Sequence, residues 1–459
     1  MKKEALNLVV IGAGYVGLTT GVCFAYLGHK VSIVEKDKDK LNQLKNLKVP
    51  FYEPHLDELM NLSSNKLYFT DALSEVISDA DIIMIAVGTP CKENGQADNR
   101  FINEAAYEIG HSLKPSKNYI IVIKSTVPIG THRRVAYIIN RCLEERKIDD
   151  KNAVAFASNP EFLREGHAIK DMFFPDRVVI GVNKNEDADL LKILYKKILD
   201  QSFEKPSFLD QKKTNSLPKL IITDPASAEL IKYAANAFLA LKISFINEIA
   251  GFCELIGANV KDVAKGIGAD RRIGPDFLEA GIGWGGSCFP KDTAALIAMG
   301  NELNYPMRIV EVAREVNYDQ RRFVVEKLQR ALKGVRGKII GILGLTFKPI
   351  TDDVRESPSV DLIKLLLERE AHVRVHDPLA LRNIPDNLLD MGIEIFDDPY
   401  KLSKGADAIV LVTSWAVYKD LDFKCIFDNM RQKIILDGRN FLEKENLINL
   451  GFTYIGIGI

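Results

Sequence analysis

The chain has 459 residues, 47% of them hydrophobic and 27% charged, with 61 Lys+Arg against 62 Asp+Glu. At roughly 150 residues per domain this predicts about three domains, or two large ones, and the composition, that of an ordinary globular protein, excludes a disordered chain. A formal net charge of −1 gives no general attraction to nucleic acid or to an anionic membrane, so an anionic ligand must be met by a local group of cations.

Residues 7–28 carry no charge, as in a membrane span or a secretory leader. Gly12, Gly14, Gly17, Gly21 and Gly28 interrupt the run and no other long apolar stretch follows, so a soluble protein is expected. The same residues read as strand (7–11), glycine turn, helix (18–27), strand (31–34) and acid (Glu35). In Gly12-Ala13-Gly14-Tyr15-Val16-Gly17 the first glycine turns the chain. The second admits a pyrophosphate to the backbone, and the third lets helix pack on strand. Phosphate then meets the helix N-terminus, and Glu35, about 20 residues on, accepts the ribose hydroxyls. An acid there repels a 2′-phosphate, so NAD is favoured over NADP, although Lys36, Lys38 and Lys40 weaken the argument.

Two further apolar runs, 80–87 and 119–123, end in Gly88-Thr89-Pro90 and Lys124-Ser125-Thr126, as buried parallel strands delivering polar loops do. Residues 201–218, polar with two prolines, read as a linker or surface excursion. From 227 to 332 the pattern is helical, with Glu229, Lys232, Tyr233 and Asn236 on one face. The opening plan then recurs: strand 338–343, a turn through Gly344 to Lys348, a helix near 360–368, strand 373–376 with Asp377, and further strands at 406–412 and 434–437. This half has no GxGxxG and need not bind a dinucleotide. The expected fold is α/β: two Rossmann-like doubly wound domains joined by a central helical, dimerising region, divided at 1–218, 219–332 and 333–459.

Cys23, Cys91, Cys142, Cys253, Cys288 and Cys425 are scattered with no CxxC pair, which predicts a reducing, cytoplasmic setting and no metal site. Cys288 differs from the others. It follows Gly281-Ile282-Gly283-Trp284-Gly285-Gly286-Ser287 and precedes a probable helix, whose N-terminus stabilises a thiolate, so it is the candidate nucleophile.

These segments, with Lys124-Ser125-Thr126-Val127-Pro128, Asn159-Pro160-Glu161-Phe162-Leu163-Arg164-Glu165-Gly166, residues 229–236, 285–292, Phe347-Lys348-Pro349 and Asp353-Val354-Arg355-Glu356-Ser357, resemble the UDP-glucose 6-dehydrogenases over nearly the whole chain. The resemblance implies a four-electron oxidation of the sugar C6 alcohol to a carboxylate, with two NAD reduced. Cys288 would hold the aldehyde as a thiohemiacetal, and the resulting thioester would be hydrolysed. Lys232 and Asp292, with a water between, are alternative bases for the first step. Lys232 and Asn236 are oxyanion donors, Glu161 the base for hydrolysis with Glu165 behind it, and Thr126 the holder of the attacking water.

NAD contacts implied are Gly12, Gly14, Tyr15, Val16, Gly17, Glu35, Lys40, Thr89, Pro90, Ser125, Thr126 and Glu165. Those to UDP-glucose are Glu161, Phe162, Leu163, Lys232, Asn236, Gly285, Phe289, Phe347, Lys348 and Arg439, with Arg272 reaching a neighbouring subunit's substrate in a homodimer or larger homo-oligomer. Trp284 stands where the family usually has Phe or Tyr, and Glu35 where Asp is commoner. A UDP-N-acetylhexosamine dehydrogenase is the nearest rival, but such relatives carry Gly-Gly-His-Cys where this chain has Ser287 before Cys288. A non-catalytic sensor would not need Cys288, Lys232, Asn236, Glu161 and Asp292 together. A two-electron hydroxy-acid dehydrogenase would explain neither the thiol nor the third domain.

Overall fold

Runs of aliphatic and β-branched residues four to six long form the strands of the first unit, Met1–Ala234, in this computed structural model, which describes residues 5–115, 117–148, 154–209, 216–382, 384 and 386–459. They are β1 (Asn7–Ile11), β2 (Lys30–Val34), β3 (Leu67–Thr70), β4 (Ile82–Ile85), β5 (Tyr119–Ile123), β6 (Val154–Ser158), β7 (Arg177–Val182) and β8 (Lys219–Thr223). Their order is β3-β2-β1-β4-β5-β6-β7-β8, parallel throughout except between β6 and β7. Successive side chains of β1 face opposite ways. Leu8 and Val10 pack with Phe24 and Ile33 on one face, and Val9 and Ile11 with Ile83 and Ile121 on the other. Burial on both faces explains why β4 and β5 are apolar at every position.

The second unit, Ala235–Ile459, carries β9 (Ile339–Leu343), β10 (His372–His376), β11 (Glu394–Ile395), β12 (Ala408–Leu411), β13 (Ile434–Asp437) and β14 (Thr453–Ile455). All neighbours are parallel in the order β11-β10-β9-β12-β13-β14, which repeats the order of the first six strands of the other sheet. Ile340 and Ile342 face one core cluster, Leu343 and Ile409 the other. The helices Val260–Gly268, Phe289–Glu302 and Arg308–Leu332 belong to this unit, and the helix Pro225–Ile256 has residues in both. The segment expected to be helical is interrupted at 269–288, where glycines and Pro275 replace the helical pattern. Of the excursion at 201–218, residues 210–215 lie outside the described residues.

In both sheets the direction of strand order reverses beside the first strand, between β1 and β4 and between β9 and β12. Ligands of open α/β sheets sit at the carboxyl ends of strands at such a point. The glycine turn follows β1, and residues 438–439 follow β13.

Candidate active site

The three glycines after β1 are required for three separate reasons. Gly12 has φ +99°, and a Cβ on it would lie 2.8 Å from the Ala86 carbonyl oxygen. A Cβ on Gly17 would lie 2.0 Å from the Gly12 carbonyl oxygen, so helix and turn touch there. Gly14 has nothing within 4 Å of that position, which leaves its backbone open at the start of the helix Tyr15–Tyr26. Glu35, at the end of β2, accepts from Ala13 N–H (3.0 Å) and Asp37 N–H (2.9 Å), which fixes its carboxylate beside the turn. This open backbone, helix start and acid fit the pyrophosphate and ribose of NAD.

Around that turn, Ser125 Oγ donates to the Val87 carbonyl (2.6 Å) and Thr89 Oγ1 to the Thr126 carbonyl (2.8 Å), tying the ends of β4 and β5 together. The Tyr15 hydroxyl donates to Glu53, and burial, then Glu53, pushes that hydroxyl far above its usual range. Glu53 accepts in turn from Gly166 N–H (2.6 Å) and Ala168 N–H (2.7 Å), so it anchors the segment that carries the half-buried Glu165. Val16 is half-buried and Pro90 exposed. Lys40 is exposed in the helix Lys38–Lys45, with its N–H bound to Asp37.

Deeper in the first unit lies a buried ion pair. Lys232 Nζ and Glu161 Oε1 are 2.9 Å apart, with side chains 4% and 6% exposed. Glu161 also accepts from Leu163 N–H (2.6 Å). Burial pushes the Glu161 carboxyl up, but the Lys232 ammonium, the Leu163 N–H and the charge of Lys124 outweigh it and hold the carboxyl below its ordinary value. The Phe162 ring covers Lys232 at 5.5 Å and the Arg177 guanidinium at 3.9 Å. Thr126, Ser158, Glu229 and Lys232 line a hollow of about 10 Å³, at the lower limit of what admits one water. Glu229, on the same helix face as Lys232, accepts from Gly130 N–H (2.6 Å) and His132 N–H (2.9 Å), so it caps the helix Thr131–Glu145.

In the second unit Cys288 is the N-cap of the helix Phe289–Glu302. Its side chain is half-buried, and Ser287 Oγ stands 3.7 Å from its sulfur. One turn on, Asp292 is 1% exposed, with Oδ1 2.5 Å from Lys291 Nζ and Oδ2 accepting from Asn236 Nδ2 at 2.6 Å. The loop before the sulfur lies on the second sheet's loops. A Cβ on Gly285 would lie 2.0 Å from the Glu356 carbonyl oxygen, and one on Gly286 2.6 Å from the Phe347 ring.

A cleft of about 850 Å³ opens beside that loop, lined among others by Trp284, Lys348, Lys419, Arg439 and Phe441. Arg439 donates from Nε to the Val412 carbonyl (2.7 Å) and from Nη1 to the Gly283 carbonyl (2.9 Å). Burial, with the like charge of Arg321, pushes its guanidinium down to about 10, so it is a cation held against neutral oxygens where an anionic ligand would relieve it. Lys348 Nζ lies 5.4 Å over the Phe347 ring. Phe289 packs edge-on against Trp284 (6.1 Å), whose Nε1 donates to Ser244 Oγ at 3.0 Å. Arg272 stands on the surface, its side chain 87% exposed and paired with Asp270 at 2.6 Å.

The NAD binding domain of the UDP-glucose/GDP-mannose dehydrogenase family matches residues 6–199, its central domain 226–319 and its UDP binding domain 341–444. The chain belongs to this family. Among its dehydrogenases, the UDP-glucose 6-dehydrogenase of Rhizobium meliloti (strain 1021) is 42% identical over 457 residues, 99% of each chain. That of Pseudomonas aeruginosa is 41% identical over 460 residues, 99% of this chain and 97% of the relative. The solved UDP-glucose dehydrogenase of Pyrobaculum islandicum is similar with a TM-score of 0.87 at 37% identity, over 99% of this chain and 98% of that one. A UDP-D-ManNAc dehydrogenase from Pyrococcus horikoshii is similar with a TM-score of 0.83 at 25% identity, over 99% of both chains. The chain is thus an NAD-dependent dehydrogenase. Among the described residues no helix is long and apolar enough to cross a membrane.

The structure places beside these positions four residues that the motifs alone did not single out. Lys291 is bound to Asp292, and its place beside that acid in Phe-Pro-Lys-Asp was the available signal. Lys124 lies within Lys-Ser-Thr, but only the folded chain shows its ammonium to be buried. Glu53 and Lys419 had no signal in spacing or composition.

Proposed function

We propose that the chain oxidises UDP-glucose to UDP-glucuronate, consuming two NAD and one water and releasing two NADH. The observation that carries this is the thiol of Cys288 at a helix N-terminus, beside a loop that borders the cation-lined cleft. Bound NAD supplies the hydride acceptor. Lys348 and Arg439 hold the diphosphate. Lys232 as its neutral amine, or Asp292 through a water, takes the C6 hydroxyl proton. Cys288 Sγ then adds to the aldehyde carbon, and the new oxyanion is met by donors from Lys232 and Asn236, which lie four positions apart on one helix. The thiohemiacetal keeps the hydrogen that leaves as the second hydride. Thr126 holds the water that attacks the thioester, Glu161 takes its proton, and the C–S bond breaks to restore Cys288. The low-lying carboxyl of Glu161 keeps it a base through the neutral range.

Ser287 before Cys288, and the higher identity to a solved UDP-glucose enzyme, favour glucose over an N-acetylhexosamine. On the helix Pro225–Ile256, Phe238, Phe245, Phe252 and Ile256 are exposed at intervals of seven, seven and four, an apolar stripe that suits pairing with a second copy. With purified protein, two NADH are expected per UDP-glucose. One NADH with accumulating aldehyde overturns the reading, and turnover of UDP-N-acetylglucosamine or UDP-N-acetylmannosamine in preference to UDP-glucose overturns the choice of sugar.

A further inference from the structure

A second buried lysine stands near the Lys232–Glu161 pair, and none of the steps above uses it. Lys124, the residue after β5, is 4% exposed. Its Nζ donates to Asn159 Oδ1 at 3.1 Å and to the Tyr195 hydroxyl at 3.0 Å, and that hydroxyl donates to the same Asn159 oxygen at 2.6 Å. Asn159 is held through Nδ2 to the Val179 carbonyl at 2.8 Å. Both oxygen partners of Lys124 are neutral, so these bonds orient the ammonium without cancelling its charge. A buried cation is costly unless an anion opposes it. Here the anion is Glu161, two residues beyond Asn159 in the turn after β6.

The other charged or titratable groups around this point are Lys232 and Glu229 from the helix Pro225–Ile256, His132 from Thr131–Glu145, Tyr195 from Asp189–Leu199, and Arg177 across the Phe162 ring. Glu229 is committed to the Gly130 and His132 N–H groups. Glu161, paired directly with Lys232 and two residues from the Asn159 that holds Lys124, is therefore the carboxylate that feels both charges. The two cations differ in one respect. In the function proposed above, on which this inference rests, Lys232 changes partners, and on one route changes charge, during the first oxidation. Lys124 sits in a closed hydrogen-bond triangle and does neither.

We propose that Lys124 is a positioning residue that provides Glu161 with a permanent counter-charge, so that the carboxylate stays ready for the hydrolytic step whatever state Lys232 is in. The first oxidation can then use Lys232 without leaving a bare buried carboxylate behind.

Four variants test this. Lys124→Met and Lys124→Gln remove the charge, Lys124→Arg keeps it, and Tyr195→Phe removes an oxygen partner but no charge. Infrared titration of the full-length protein without substrate follows the Glu161 carboxyl band, assigned by its loss in Glu161→Gln. The midpoint is expected to rise by about one pH unit in the Met and Gln variants, and to stay in place in the Arg and Phe variants. The acidic limb of kcat for UDP-glucose is expected to move with it. At a pH one unit below the wild-type limb kcat falls about tenfold further than wild type, and on the plateau it stays within about twofold. An unmoved midpoint in the Met and Gln variants, or an equal shift in Tyr195→Phe, overturns the proposal. Both charge-removing variants are expected to fold, because Asn159 Oδ1 keeps its bond from Tyr195, and unfolding of both would overturn the positioning role in favour of a structural one. The infrared result is independent of turnover. A wild-type yield of one NADH per sugar would refute the function proposed above and leave this measurement standing.

Discussion

Replacing Cys288 with serine keeps a small polar side chain at the helix start but removes the sulfur nucleophile, since a hydroxyl is far harder to ionise than a thiol and is a weak nucleophile at its free pKa. Steady-state uronate formation is expected to fall by about three orders of magnitude while UDP-glucose still binds, checked by product analysis and by binding of the sugar nucleotide to the variant. Asn236→Ala removes a donor that the oxyanion needs most in the transition state, so kcat is expected to fall about a hundredfold with little change in KM. Raised KM at unchanged kcat would contradict that role. Because the Glu161 carboxyl is held below its ordinary value, its pairing stabilises the fold above the unfolded carboxylate pKa, and that contribution is lost as pH falls through the lower folded value. Activity is accordingly expected to survive mild acid and to fail only below the usual carboxylate range, read from a kcat–pH profile. The identities of Cys288, Asp292, Lys232 and Glu161 were legible as motif positions. Their partners were not, because the bond from Asn236 to Asp292 spans 56 residues and that from Lys124 to Tyr195 spans 71, distances that only folding closes.

Elements separate binding from stability most clearly in the turn after β1. Gly14→Ala points a methyl group into open space where backbone must meet phosphate, so it is expected to raise the KM for NAD at least tenfold with little change in Tm. Gly17→Ala drives a methyl group into the Gly12 carbonyl and is expected to lower Tm as well. Parallel melting curves and NAD titrations distinguish the two. Glu229→Ala should cost about 1–3 kcal/mol by leaving the N–H groups of Gly130 and His132 without their carboxylate, measured by denaturant unfolding. The strands and the GxGxxG turn were legible because apolar run length and glycine spacing are local signals. The capping of one helix by an acid 97 residues away was not, since Glu229 reads equally well as a partner for Lys232. The break at 269–288 was visible only in part, through its glycines.

At the scale of the whole molecule, two sheets share one strand order and differ in what their acids do. Glu35 accepts from Ala13 and Asp37 beside an open turn, whereas Asp377, at the matching place after β10, is buried and accepts from the N–H groups of Leu345, Thr346, Leu379 and Ala380 and from Trp415 Nε1. With its oxygens so occupied, Asp377 is less open than Glu35 to the ribose hydroxyls of a dinucleotide, which fits the expectation that the second copy need not bind one. The exposed phenylalanines of Pro225–Ile256 predict that Phe245→Asp lowers the sedimenting mass towards that of a single chain. If Arg272 serves a neighbour's substrate, Arg272→Ala should raise the KM for UDP-glucose in the assembled protein. The loop that ends at Cys288 has its own consequence for recombining family members. With Gly285 pressed on Glu356 and Gly286 on Phe347, a chimera spliced near residue 333 would set the thiol's loop against a foreign wall. Nucleotide preference and sulfur placement are therefore inherited as one block, and a graft meant to change the sugar must begin upstream of residue 281.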